Sequence, residues 1–164
     1  MIRKALITDI EAITNIYNES VLTTTASMDI EPATLNERKN WFLDHTEKQP
    51  IIIYELEEKG IVGWASISAW SQKKGYSLTA EVSVYVLKQE HGKGLGKKLL
   101  LALIQKAQEL EYHSLVARIA SDNTISLKLH EQLGFKEIGL MKEFGFKFGR
   151  FVDIIIMQKF LSKN

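Results

Sequence analysis

Cysteine is absent from this chain of 164 residues. Disulfides, thiolate nucleophiles and cysteine-held metals are therefore excluded. Histidine is scarce: His45, His91, His113 and His130 are scattered without ligand spacing, so no metal is expected. Neither sign of charge prevails, with 21 lysines and arginines against 20 aspartates and glutamates. A nucleic-acid or anionic-membrane binder wants a clear basic excess, so neither partner is expected. Long apolar runs are also missing. No stretch reaches the ~20 residues that span a bilayer, and the opening "MIRKALITDIEAI" lacks the apolar core of a secretory leader. The expected location is the cytoplasm. With only 2 prolines, no repeat and no Pro/Ser-rich linker, one domain over 1–164 is expected. The 45% hydrophobic and 25% charged residues suit a globular domain with a full core.

What is present alternates between strand and helix patterns. "RKALITD" reads as a first strand, followed by a capping box of Thr8 and Glu11 that opens a helix through Ile10, Ile13, Ile16 and Tyr17. A second capping box, Thr34 with Glu37, opens another helix. Two strands, "PIIIYEL" and "GIVGWASISAW", turn near Lys59 and Gly60. "TAEVSVYVLK" is a strand, and residues 94–113 form a long helix with Leu95, Leu99, Leu103, Ala107 and Leu110 along one face. "SLVARIA" is a strand, "DNTISLKLHEQLGF" a short helix stopped by Gly134, and "KEIGLMKEF" and "FVDIIIMQKFL" are two strands joined by "GFKFGR". The expected order is β α α β β β α β α β β. The piece over 80–119 predicts a parallel pair with a crossover helix, set in an otherwise antiparallel sheet.

Only 10 glycines occur, yet Gly92, Gly94 and Gly96 crowd into "KQEHGKGLGKKLL" between a strand and the long helix. The spacing fails the Walker A pattern, because Gly92 stands one position too near Gly96 and Lys98 replaces Ser or Thr. It fails the dinucleotide fingerprint, because the third glycine comes early. What remains is a backbone that can curl close to oxygen atoms at a helix start. Free N–H groups, the helix dipole and Lys93, Lys97 and Lys98 together suit a diphosphate.

"QEHGKGLG" after "SVYVLK" resembles the acetyl-CoA signature Q/R-x-x-G-x-G/A of the GNAT N-acetyltransferases. "IYNESVLTTTASMDIEP", "AWSQKKGYSLTAEVSVYV", "SDNTISLKLHEQLGF" and "GFKFGRFVDIIIMQ" extend the likeness over nearly the whole chain, toward the phosphinothricin/methionine sulfoximine acetyltransferase subfamily. The resemblance implies a mixed α/β fold: a mostly antiparallel twisted sheet with a central splayed parallel pair, flanked by about four helices. It implies acetyl-CoA as cosubstrate, held by the main chain of Val84, Tyr85 and Val86, by Gly92, Lys93, Gly94, Leu95, Gly96 and Lys97, and by Asn123. Asn123 also suits a helix cap. A homodimer is the family expectation.

Acetyl transfer to an amine needs a group that takes the amine's proton. Glu81, at the head of "VSVYV", matches the subfamily's proposed base. A carboxylate on an apolar strand is costly to bury without a partner, and desolvation there would raise its pKa. His130 matches a histidine suggested to assist or to protonate the leaving thiolate; a packing histidine is the plainer alternative. Tyr85 is a further candidate acid. Lys73, Tyr76 and Met28 are expected at the substrate, with Lys147 and Arg150 at the pocket's border or a subunit contact. Phosphinothricin-specific relatives carry an arginine near Lys73 and an aromatic residue near Met28. These departures widen the expected substrate to methionine sulfoximine, methionine sulfone or another small amine. The rival readings are a protein or peptide N-acetyltransferase and a non-catalytic acyl-CoA sensor.

Overall fold

A computed structural model describes residues 1–161; the last three positions of the expected 1–164 domain lie outside the described residues. The elements run β1 (Ile2–Lys4), α1 (Ile10–Thr23), α2 (Leu35–Leu43), β2 (Ile51–Leu56), β3 (Gly60–Ala69), β4 (Thr79–Val86), α3 (Leu95–Glu109), β5 (Ser114–Ala120), α4 (Thr124–Gln132), β6 (Lys136–Lys147) and β7 (Arg150–Phe160). This is the order expected from the sequence. The seven strands form one sheet in the order β1-β2-β3-β4-β5-β7-β6. Every pairing is antiparallel except β4 with β5.

Alternation along the central strands sends side chains to two cores. Ile51, Ile53 and Trp64 meet Ile13, Ile16 and Val21 of α1, whereas Ile52, Ala65 and Ile67 meet Leu99, Leu100 and Leu103 of α3. Successive strand residues face opposite sides, so the sheet is covered by helices on both faces. The apolar stripe of α3 buries as its spacing predicts, through Leu95, Leu99, Leu103 and Ala107. Arg38 is the buried residue of α2, with its guanidinium 3.7 Å above the Trp41 ring and 4.4 Å from the Tyr17 ring.

Local signals held at some ends and failed at others. The Thr34–Glu37 capping box forms: the Glu37 amide donates to Thr34 Oγ1 at 3.2 Å, and the Thr34 amide donates to Glu37 Oε2 at 2.7 Å. The Thr8–Glu11 box does not form. Thr8 lies inside a 3-10 turn, Ile7–Asp9, and no side chain caps α1 at Asp9. Asp9 serves the preceding turn instead, accepting the Leu6 amide at 2.8 Å and gripping Arg3 at 2.7 and 3.0 Å. That turn also shortens the first strand from the expected 3–9 to Ile2–Lys4. The strand β6 runs longer than the expected 136–144, and β7 begins one residue earlier than expected and ends one earlier. Most of "GFKFGR" is strand, and Phe148 and Gly149 alone form the turn, both with positive φ.

Candidate active site

β4 and β5 begin side by side and then part. Their parallel register runs Thr79↔Ser114, Ala80↔Leu115 and Glu81↔Val116, and ends there. β4 continues to Val86 along β3, while β5 continues to Ala120 along β7. Main-chain groups of a strand point alternately to either side. Beyond Glu81, those on the β5 side of β4 face an opening instead of a strand. The opening is a cleft of about 440 Å³. Glu81 to Tyr85 form one wall and Ala117 to Ala120 the other, with His130 and Asn123 from the α4 region and Met28 from the α1–α2 loop.

Glu81 stands where the strands separate, but it is not the unpartnered carboxylate expected. Arg118 of β5 grips both of its oxygens, Nε to Oε1 at 2.6 Å and Nη2 to Oε2 at 2.8 Å. Glu81 pairs with Val116 in the register, so Arg118 projects from the same face two residues on. The bidentate pair removes the premise of uncompensated burial. Nothing in the sequence joins these two positions until the parallel pairing is known.

His130 is 4% exposed on α4, edge-on to Phe135 at 5.0 Å between ring centroids. Its Nδ1 lies 2.8 Å from the Ser126 carbonyl oxygen. A carbonyl only accepts, so the proton sits on Nδ1 and Nε2 keeps its lone pair. Burial holds the His130 pKa below the ordinary histidine value, against the opposing pull of the Ser126 carbonyl. The ring is therefore neutral at pH 7, with Nε2 unprotonated and free to accept a hydrogen bond. Asn123 takes the cap role, accepting the Ser126 amide at 3.2 Å, and also lines the cleft.

The side chains of Val84 and Val86 pack toward the α3 core, leaving main chain at the opening, where the Val86 carbonyl accepts a hydrogen bond from His91 Nε2 at 2.8 Å. Tyr85 stacks on Trp64 at 4.7 Å and meets Tyr17 edge-on at 5.3 Å. Burial raises the Tyr85 phenol's pKa, which argues against its giving up a proton.

The glycine loop leads from β4 to α3. Gly92 and Gly94 have φ of 78° and 75°, a region where a Cβ is strained, and open space lies where each Cβ would stand. A Cβ on Gly96 would meet Leu129 Cδ2 at 3.4 Å, an ordinary contact distance. No side chain caps α3 at Gly94, and its first backbone bond is donated by Lys98. The amides of Leu95, Gly96 and Lys97 are thus left to an external acceptor. Such a cradle fits a diphosphate. The three lysines do not act alike. Lys93 pairs at 2.9 Å with Glu90, a carboxylate 1% exposed that also holds Lys59 at 2.6 Å. Lys97 and Lys98 are exposed and make no ion pair among the described residues.

The expected substrate residues divide. Met28 lines the cleft, where a Cβ on Gly145 would collide with its sulfur. Lys73 and Tyr76 are exposed in the β3–β4 loop, outside the cleft's lining. Lys147 and Arg150 also stay outside it. Lys147 is buried and donates to the Ser27 carbonyl at 2.7 Å. Arg150 pairs with Asp122, which accepts the Thr25 hydroxyl at 2.6 Å. Both basic side chains fasten the loop that carries Met28.

Residues 2–156 match the acetyltransferase (GNAT) domain. The L-methionine sulfoximine/L-methionine sulfone acetyltransferase of Pseudomonas aeruginosa is 41% identical over 159 residues, which is 96% of this chain and 92% of that relative. An L-amino acid N-acyltransferase of Escherichia coli is 42% identical across 99% of this chain and 95% of its own. The crystal structure of a GNAT superfamily phosphinothricin acetyltransferase from Sinorhizobium meliloti, in complex with AcCoA, has a TM-score of 0.96 at 34% identity and covers 100% of this chain and 89% of that one. A sheet parted at β4–β5, an uncapped helix start behind a glycine loop and these likenesses agree: the chain belongs to the GNAT acetyltransferases, enzymes that use acetyl-CoA as cosubstrate.

Proposed function

We propose that this enzyme moves the acetyl group of acetyl-CoA to the α-amine of a small amino acid, of the kind represented by methionine sulfone and methionine sulfoximine. The observation that carries the reading is the cleft itself. It has a carboxylate at its closed end, main-chain groups along one wall and, beyond β4, a helix start with free amides. The names of the relatives support the substrate class.

The residues divide the work. The amides from Gly92 to Lys97 take the diphosphate, with Lys97 supplying charge and Lys93 fixed by Glu90. The main chain of Val84 and Val86 takes the pantetheine arm as an added strand would be taken, and its N–H groups steady charge on the thioester oxygen, while Tyr85 between them turns its main chain to β3. Acetyl-CoA supplies an acyl group already activated as a thioester. Glu81 accepts the proton that the amine must lose, and His130, neutral at the cleft wall, assists by accepting a hydrogen bond on its free Nε2. The proton returns from Glu81 to the leaving sulfur, directly or through water, so the enzyme ends as it began. Met28 and Gly145 shape the far wall, where the substrate side chain would lie. Lys73 and Tyr76, at the β3–β4 loop, remain candidates for the cleft's outer approach.

The chain is read as one domain working as a homodimer in the cytoplasm, where acetyl-CoA and free amino acids meet. Phe144, Phe146, Phe148 and Phe151 on the β6–β7 hairpin are each more than half exposed. A cluster of that kind is typical of a surface that another subunit covers. The direct test is thiol release from acetyl-CoA with L-methionine sulfone against a panel of short peptides. Turnover of the amino acid and none of the peptides is expected. Peptide turnover alone would replace the reading with the protein acetyltransferase, and binding without turnover of any amine would replace it with the sensor.

A further inference from the structure

Among the described residues lining the cleft, Arg118 is the one lysine or arginine. Its side chain is 51% exposed, so it meets the space a substrate would enter. The guanidinium uses one edge, Nε and Nη2, to hold Glu81. Its end, formed by Nη1 and the second hydrogen of Nη2, makes no hydrogen bond among the described residues. A guanidinium presents donors in a fixed fork at both the edge and the end, and each matches the two oxygens of a carboxylate. Arg118 therefore has an unused carboxylate site beside the one that Glu81 fills.

An α-amino acid carries an ammonium and a carboxylate on the same carbon. Glu81 and Arg118 offer the opposite charges in the same close arrangement. An amino acid whose carboxylate sits on the end of Arg118 brings its amine next to Glu81, where the proton must go. Asp29, the cleft's other carboxylate, is already held by the Tyr17 hydroxyl. We propose that Arg118 binds the substrate's α-carboxylate through its free Nη1–Nη2 end, selecting free α-amino acids over amines that lack the carboxylate. This inference rests on the small-amino-acid acetyltransferase reading and names the group that would enforce it. Lys73, the lysine expected at the substrate, lies outside the cleft.

The test compares L-methionine sulfone with 3-(methylsulfonyl)propylamine, the same molecule without its carboxylate, in the native enzyme and in Arg118→Met and Arg118→Lys. A charge-assisted pair corresponds to roughly a 10- to 100-fold preference in kcat/KM for the amino acid. Arg118→Met is expected to abolish most of that preference. Arg118→Lys, which keeps the charge without the fork, is expected to fall between. The ratio of the two substrates is the readout, because any loss from disturbing Glu81 strikes both alike. Unchanged acetyl-CoA affinity by calorimetry verifies that each variant is folded. Turnover of methionine sulfone with the same ratio in native and Arg118→Met enzyme overturns this inference alone, as does equal native turnover of both substrates. No native turnover of either overturns the underlying reading, and the inference with it.

Discussion

In the proposed mechanism a single side chain, Glu81, carries both the chemistry and the geometry. Its two oxygens are held by a guanidinium that comes from 37 positions away. Glu81→Gln keeps the size and one hydrogen-bond acceptor but cannot take a proton. We expect turnover of the amine to fall by about 10²- to 10⁴-fold, with acetyl-CoA affinity unchanged by calorimetry; an unaltered rate removes Glu81 from the base role. His130 and His45 supply a second prediction. Burial lowers both pKa values from the ordinary 6.5. Below that value the unfolded chain binds more protons than the folded one, so stability falls as pH drops and is fully present above it. Denaturant midpoints at pH 7.5 and 5.5 should show the loss, and His130→Gln should shrink it. A midpoint independent of pH over this range would mean that the histidines are not held neutral. That Glu81 and His130 both line the cleft was legible because their neighbours matched a known pattern. Arg118 was not: its partner is set by parallel register, and a lone arginine on a strand carries no local mark of that.

Elements fix where such residues can stand. The glycine loop holds two left-handed positions, Gly92 and Gly94, at the mouth of α3. Gly94→Val places a branched side chain at a φ that costs about 1–2 kcal/mol even for simple residues, and directs it into the open space where the diphosphate is proposed to lie. Acetyl-CoA affinity should fall about tenfold or more, equivalent to ~1.4 kcal/mol; unchanged affinity would mean that the loop holds no phosphate. The β6 strand meets the α1–α2 loop at Gly145 and Met28. Gly145→Ala should displace the methionine and raise the KM for the amine, while Gly145→Ala with Met28→Ala should restore it. Equal KM values in all forms would show that this wall does not touch substrate. The glycine cluster and the Thr34–Glu37 cap were readable because each is a short-range pattern with one strong physical use. The Thr8–Glu11 pattern had the same form, but Asp9 and Arg3 engaged each other and the chain turned before the box could close. The hairpin at Phe148 and Gly149 was read too loosely, because aromatic strand residues beside glycines resemble a loop until their partners are in place.

Across the whole molecule, the element order was legible from periodicity, and the parallel pair followed from one strand–helix–strand unit. The parting of β4 and β5 was expected from resemblance alone, since no residue between 82 and 86 announces a missing neighbour. The outer hairpin bears the subunit proposal. Phe146→Asp with Phe151→Asp should convert a dimer to a monomer in sedimentation, while a native protein that sediments as a monomer at tens of micromolar contradicts the assembly. The central claim is that coenzyme A lies with its diphosphate on the amides that open α3. Backbone amide resonances followed during titration with acetyl-CoA test it most directly. The signals of Leu95, Gly96 and Lys97 should move strongly and saturate at one equivalent, together with those of Val84 and Val86. Saturable binding that leaves these amides unmoved, and shifts others instead, would contradict the account.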